Sequence, residues 1–374
     1  NETQYDESLR GIVKYQLYKD NFSLEANTAY LSDWLQYSNQ LLSVESRNKS
    51  DRFSVQISGL YSFAANTKIR AGISGSATKV KSNNYDGDKL RNDMSIDLSL
   101  SHIIAEKFGV LASINQRLLD AKLLPVQSSL GLDYLISSSK NYHLKGSIGK
   151  SIQLPSLNDL YWMPGGNPDL KPENSFNGEL SFSISAYAGR NSLIESELTL
   201  FRSSIKDMIV WLPLSASVWQ PQNINNVVSL GIEIFSKYSY SSGINHLYIT
   251  LNYSFTDARK TNSTSLNDES VDKQLIYVPR NSGSIKVKYI YRKLSSEWWT
   301  VYTGARFIAS DNSEKLDSYL LHNFSLRILL GNRKLEFNPG LSVDNIFANR
   351  YINVVGYPMP MRSFRLSASI KFGN

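Results

Sequence analysis

Six residues stand out for what they could hold rather than for what they could transform. Tyr161, Trp162 and Met163 are consecutive in "PSLNDLYWMPGGNPDLKPE", residues 155–173; Asn167 follows four positions later, and Trp211 and Trp219 flank the next long connection. Aromatic rings and a thioether offer flat, polarisable contact area, and an amide fixes orientation, so the chemistry is stacking on a flat, bulky ligand. The same aromatics serve equally as buttresses of their own loop or as members of an interfacial girdle.

Bond-making chemistry has much less to work with. There is no cysteine, which removes thiolate ligands, cysteine nucleophiles and disulfides together. His102, His143, His246 and His322 are far apart and none has the HExxH spacing of a zinc site. A hydrolase at the rim of a barrel would need a Ser/His/Asp or Asp/His set, and no histidine falls in a long connection. No catalytic residue, metal or cofactor is assigned.

Net charge is +7, yet Lys and Arg occur singly among polar residues, without a basic block to track phosphates, so nucleic acid is not an expected partner. No apolar run approaches the roughly 18 residues of a spanning helix, and the polar start "NETQYDESLRGIVKYQLYKD" has no export-signal pattern.

The elements that must position the six residues are strands. In "FSVQISGLYSF", Phe53, Val55, Ile57, Tyr61 and Phe63 take one face and Ser54, Gln56, Ser58 and Ser62 the other; "MSIDLSL", "LSFSISA", "LYITLNYSF" and "FRLSASIKF" repeat the pattern. A sandwich would bury the apolar face against a second sheet, and a membrane barrel would give it to lipid. Alternation predicts seventeen strands, from 10–19 and 22–38 through 51–63, 193–213 and 225–240 to 359–372. Connections such as "KDNF", "AANT" and "SSGI" are tight, whereas those at 39–50, 153–173, 213–225, 259–274 and 346–359 are long. In an up-and-down meander alternate connections share an end, so short turns gather at one end and long loops at the other, as in outer-membrane barrels. The expected fold is all-β: a transmembrane antiparallel up-and-down β-barrel, with residues 1–374 as one domain. The odd strand count, with a first strand descending from outside, puts residues 1–9 in an external loop and makes the chain the C-terminal part of a larger barrel, or one that a second chain completes.

Pro155, Pro164, Pro168 and Pro172, with Gly165 and Gly166, make 155–173 a turned, stiff loop on the long-loop end. Its sequence resembles the motif of TonB-dependent outer-membrane receptors, carried by Pro155, Leu157, Leu160, Gly166, Asn167, Pro168, Leu170, Pro172 and Glu173. Gly231 and Glu233 in "NNVVSLGIEI", and Asn345, Tyr351, Arg362 and Phe372 in the closing strands, also stand in the family's order. The resemblance is specific over residues 155–372 and generic before them.

The resemblance implies about 17 of 22 barrel strands, with no plug recognisable in residues 1–50. It further implies outer-membrane lipid around the barrel of a Gram-negative cell, the TonB-ExbB-ExbD complex as energiser acting through a plug, and no enzymatic step. A surface lipoprotein is a further partner open to such a barrel. The short spacing between Tyr161 and Gly166 resembles cobalamin receptors, making a corrinoid the expected cargo; a ferric siderophore or haem is the alternative within the family, and a passive porin the alternative outside it.

Overall fold

The computed structural model describes residues 2–41, 43–138, 141–213, 218–263, 268–331 and 334–372. Its large antiparallel ladder has nineteen strands, of which Lys122–Leu123 and Leu330–Gly331 are two-residue pieces, leaving seventeen of ten residues or more. The chain divides into two compact units. The first comprises residues 1–133, 147–178 and 204–226, and the second 134–146, 179–203 and 227–374.

In the first unit the long strands Glu2–Lys19, Phe22–Asn39, Val44–Ala64, Thr67–Ser82, Lys89–Ile104 and Phe108–Leu119 pair antiparallel in chain order. The second unit repeats the arrangement from residues 227–242 of the strand Trp219–Ser242 and from Asn245–Lys260 through Asn281–Tyr291, Leu294–Thr303, Tyr319–Ile328 and Leu335–Asp344 to Ser363–Phe372.

The faces are inverted relative to a water-soluble sheet. Along Lys89–Ile104, Met94, Ile96 and Leu98 are exposed while Ser95, Asp97 and Ser99 are half-buried; Ile96 is 64% exposed. Among the described residues the buried apolar side chains are Leu170, Val227 and Ala258 with a few prolines such as Pro155 and Pro221. A sheet that turns its apolar stripe outward and has almost no greasy core needs lipid, not a second sheet, against that stripe. In the second unit the exposed face also carries a ring cluster, with Trp298 5.8 Å from His322 and 6.4 Å from Phe347 and with His322 5.1 Å from Phe347. His322 Nδ1 lies 2.8 Å from Thr300 Oγ1, so this strand histidine is held by a cross-strand hydroxyl within the aromatic cluster.

Three expectations for the connections change. Residues 2–9 are not loop: Glu2 through Leu9 pair with Asn39 through Ser32, residue by residue. The expected loop 39–50 is mostly strand, because Val44 to Ser50 pair with Asn39 to Asp33. Likewise 219–225 belongs to Trp219–Ser242, and residues 214–217 of that connection lie outside the described set. Strands of 21, 22 and 24 residues at Val44–Ala64, Ser192–Pro213 and Trp219–Ser242 greatly exceed the roughly 9–11 that cross a bilayer. Cross-strand hydrogen bonding carries the hairpins past the apolar band, where alternation fades and composition alone reads as loop.

Candidate functional site

The loop 155–173 is built around a single turn of helix, Leu157–Tyr161. Ser156 caps it: Asp159 N–H donates to Ser156 Oγ at 3.0 Å, and Ser156 N–H donates to Asp159 Oδ2 at 2.7 Å. This reciprocal capping box satisfies two otherwise orphan amides. The Ser-x-x-Asp spacing was visible in the sequence and is the signal that finds the helix.

The chain then reverses. Gly166 N–H donates to the Trp162 carbonyl at 2.5 Å and Asn167 N–H to the Asp159 carbonyl at 2.8 Å. Both glycines are required. Gly165 has φ +117°, and a Cβ there would overlap the Trp219 carbonyl oxygen; at Gly166 a Cβ would fall 2.5 Å from Trp162 N and 2.8 Å from Tyr161 N. A left-handed φ and two close backbone approaches leave room for glycine alone.

Side chains far away in sequence brace the loop. Trp211 Nε1–H donates to Asp159 Oδ1 at 2.9 Å. Asn167 Nδ2–H donates to the Pro221 carbonyl at 3.1 Å while its Oδ1 accepts from Asp169 N–H at 3.1 Å. Asn223 closes a two-way pair with the backbone of Lys171, at 2.9 and 3.0 Å, and Glu173 Oε1 accepts from Ile209 N–H at 2.8 Å. Leu170 is buried, and Pro221 is among the most fully enclosed side chains.

A second connection, 83–88, closes on the other flank, which the sequence did not announce. Met163 N–H donates to the Asn84 carbonyl at 2.8 Å, and Tyr85 Oη donates to Asn158 Oδ1. Burial pushes the Tyr85 phenol above its ordinary range, Arg91 opposing and Asp159 adding to the shift, so it remains a donor at neutral pH. Lys89 Nζ lies 4.7 Å from the Tyr161 ring centroid, a cation–π contact.

The six candidates separate by what remains free. Trp211 and Asn167 have their polar groups engaged by the loop itself. Tyr161 and Trp162 are half-buried, whereas Met163 and Trp219 are 59% and 53% exposed. The motif residues are scaffold: Pro155 is buried, Leu157, Leu160 and Pro172 are half-buried, and Pro168 is exposed at the turn.

In the second unit, a Cβ on Gly231 would overlap the Phe255 carbonyl oxygen and fall 2.6 Å from Phe201 Cζ, so this glycine lets a ring lie on the strand backbone. Glu233 lines a cavity of about 540 Å³ with Glu197, Thr199, Asn252 and Ser254. Asn345 is buried and pins its own turn, donating to the Asn349 carbonyl and accepting Asn349 N–H at 2.8 and 2.9 Å. Tyr351 packs on Tyr319 at 4.8 Å, while Arg362 and Phe372 are exposed. No group of three His, Cys, Asp or Glu side chains able to hold a metal ion occurs among the described residues.

Comparison with known proteins agrees with this architecture. The chain is 29% identical over 233 residues to the vitamin B12 transporter BtuB of Photobacterium profundum, covering 61% of this chain and 35% of that protein. It is 37% identical over 107 residues to BtuB of Vibrio vulnificus strain YJ016, covering 28% and 16%. The fold matches the ferric enterobactin receptor PfeA of Pseudomonas aeruginosa with a TM-score of 0.74 at 16% identity, covering 99% of this chain and 63% of that one. It also matches the ferric-catecholate import receptor Fiu of E. coli K12, with a TM-score of 0.74 at 14% identity and coverages of 98% and 64%. The chain thus spans about a third or less of the curated relatives and under two thirds of these solved receptors. The family model "TonB dependent receptor-like, beta-barrel" matches residues 124–346, more than half of the chain. With its outward apolar stripe and up-and-down antiparallel ladder, the chain belongs to the TonB-dependent receptor β-barrel family of the Gram-negative outer membrane.

Proposed function

We propose that this chain supplies barrel wall and capture loops to an active-uptake receptor for a scarce, bulky nutrient, with a cobalamin-type corrinoid as preferred cargo. The observation that carries the reading is the braced loop 155–173, fixed from both flanks while Met163 and Trp219 remain exposed. A stiff loop loses little entropy on capture, and exposed thioether and indole surface suits a flat macrocycle. The relatives named as vitamin B12 transporters support the corrinoid. Tyr161 and Trp162 join the contact surface as half-buried neighbours, with Asn167 and Trp211 shaping it from behind.

No bond is made or broken in such a receptor. The energy would come from the TonB-ExbB-ExbD complex, acting through a plug in the lumen, and outer-membrane lipid surrounds the apolar stripe. A second reading, an anionic ferric chelate, is favoured by Lys89 beside the Tyr161 ring.

Titration of the purified full-length receptor with cyanocobalamin tests the first reading. Saturable binding at or below micromolar concentration is expected. No binding at that concentration, with saturable binding of a ferric catecholate, would transfer the assignment to the second.

A further inference from the structure

The register of three strands cuts a furrow into the apolar face of the first unit. Gly75, Ala77, Lys79 and Lys81 alternate along Thr67–Ser82 and therefore share one face. Gly75 lies opposite Val55 on one neighbouring strand and Met94 on the other; Ala77 lies opposite Phe53 and Asn92. With no side chain at 75 and a methyl at 77, the larger neighbours form walls. The furrow leads into a cavity of about 500 Å³ lined by Val55, Ile57, Ile73, Met94, Ile96 and Leu118.

At its other end the furrow meets a cluster of cations. Lys81 is registered directly opposite Lys49, where like charges destabilise a ladder. Lys79 and Lys81 share the single carboxylate of Asp88, at 3.0 and 3.8 Å. Lys49 reaches Asp51 at 3.5 Å, and that carboxylate already accepts from the Ser32 and Tyr30 hydroxyls. Three half-exposed lysines are thus answered by two carboxylates. Lys79 stands about 13 Å and Lys81 about 20 Å along the strand from Gly75, at roughly 3.3 Å per residue, a separation that suits a headgroup and the upper part of an acyl chain.

We propose that this furrow is a docking site for one phosphate-bearing anionic membrane lipid. Its phosphate sits between Lys49 and Lys81, with Lys79 beside it, and one acyl chain runs over Ala77 and Gly75 into the cavity. Charge complementarity selects the anionic headgroup, and the apolar walls, open on the face the barrel turns to lipid, select the chain. Its carboxylate Asp88 lies in the connection that flanks the braced loop, but the site does not depend on the cargo.

Full-length receptor, stripped of lipid in a zwitterionic detergent, is titrated with phosphatidylglycerol and with phosphatidylcholine, and bound lipid is counted by native mass spectrometry. One retained phosphatidylglycerol is expected in preference to phosphatidylcholine. Lys49→Gln and Lys81→Gln should each cut that preference about fivefold, from about 1 kcal/mol per lysine near a lipid surface, while Lys107→Gln in a turn at the opposite end leaves it unchanged. Gly75→Leu should reduce retention of both lipids; its Cβ meets nothing nearer than 3.9 Å, so the furrow fills without a backbone clash. Unchanged heat-modifiable gel mobility establishes that each variant is folded. Equal retention of the two lipids, indifference to Lys49 and Lys81, displacement by inorganic phosphate, or a second protein chain as the bound mass would overturn the proposal.

Discussion

Trp211 donates its indole N–H to Asp159 Oδ1 at 2.9 Å across 52 residues of sequence, joining the end of a long strand to the carboxylate that completes the capping box of the loop helix. One carboxylate thereby serves two purposes. Its Oδ2 closes the capping box on Ser156 while its Oδ1 anchors the whole turn to the neighbouring hairpin.

Trp211→Phe retains the ring and removes the donor. A hydrogen bond to a charged group contributes about 1.5–3 kcal/mol, so amide hydrogen exchange across 157–167 should rise by about tenfold or more, with no change in the strands. Exchange equal to wild type would mean that the capping box alone holds the loop.

Gly165→Ala and Gly166→Ala should each weaken capture and loosen 155–173, since both introduce a Cβ into occupied backbone space. Gly11→Ala is the matched control, because its Cβ would meet nothing within 4 Å. Limited proteolysis of the folded receptor reads the difference: early cleavage in the loop is expected for the first two variants and not for the third.

Met163→Ala and Trp219→Ala remove exposed contact area from the proposed capture surface. Each should raise the cargo dissociation constant by about tenfold or more, in line with truncation of an aromatic or apolar anchor, while thermal stability stays near wild type. Trp162→Ala should lower both affinity and loop stability, because that side chain is half-buried and its truncation removes packing from the loop. Unchanged affinity in all three variants would assign these side chains to structure.

Ile96→Lys and Ser95→Lys differ by one position and by one face. A lysine on the lipid side costs about 2–4 kcal/mol near the bilayer midplane, whereas the polar side tolerates charge. Heat-modifiable mobility after refolding into vesicles should show impaired assembly for Ile96→Lys and near-normal assembly for Ser95→Lys. Equal yields would contradict the assignment of faces.

Much of the fold is legible locally. Side chains alternate in any extended strand, so "MSIDLSL" and "FRLSASIKF" disclose their two faces before any partner is known. Prolines and paired glycines likewise disclose a turned loop at 155–173, and its residue order gives the family. Less legible are the ends of the hairpins. Residues 2–9 and 44–50 are held by backbone pairing with Phe22–Asn39, which makes little demand on side-chain type beyond the apolar band.

The sequence by itself therefore determined the strand content, the identity of the apolar face and the kinship of the chain, because each depends on short-range periodicity or on residue order. Only the tertiary structure decided which candidates are braced and which are free: Asp159 meets Trp211, Asn167 meets Pro221, and Met163 meets Asn84. It also decided that Lys49 stands opposite Lys81 above Gly75. Strand register and loop closure join residues tens of positions apart, and no local pattern carries that information.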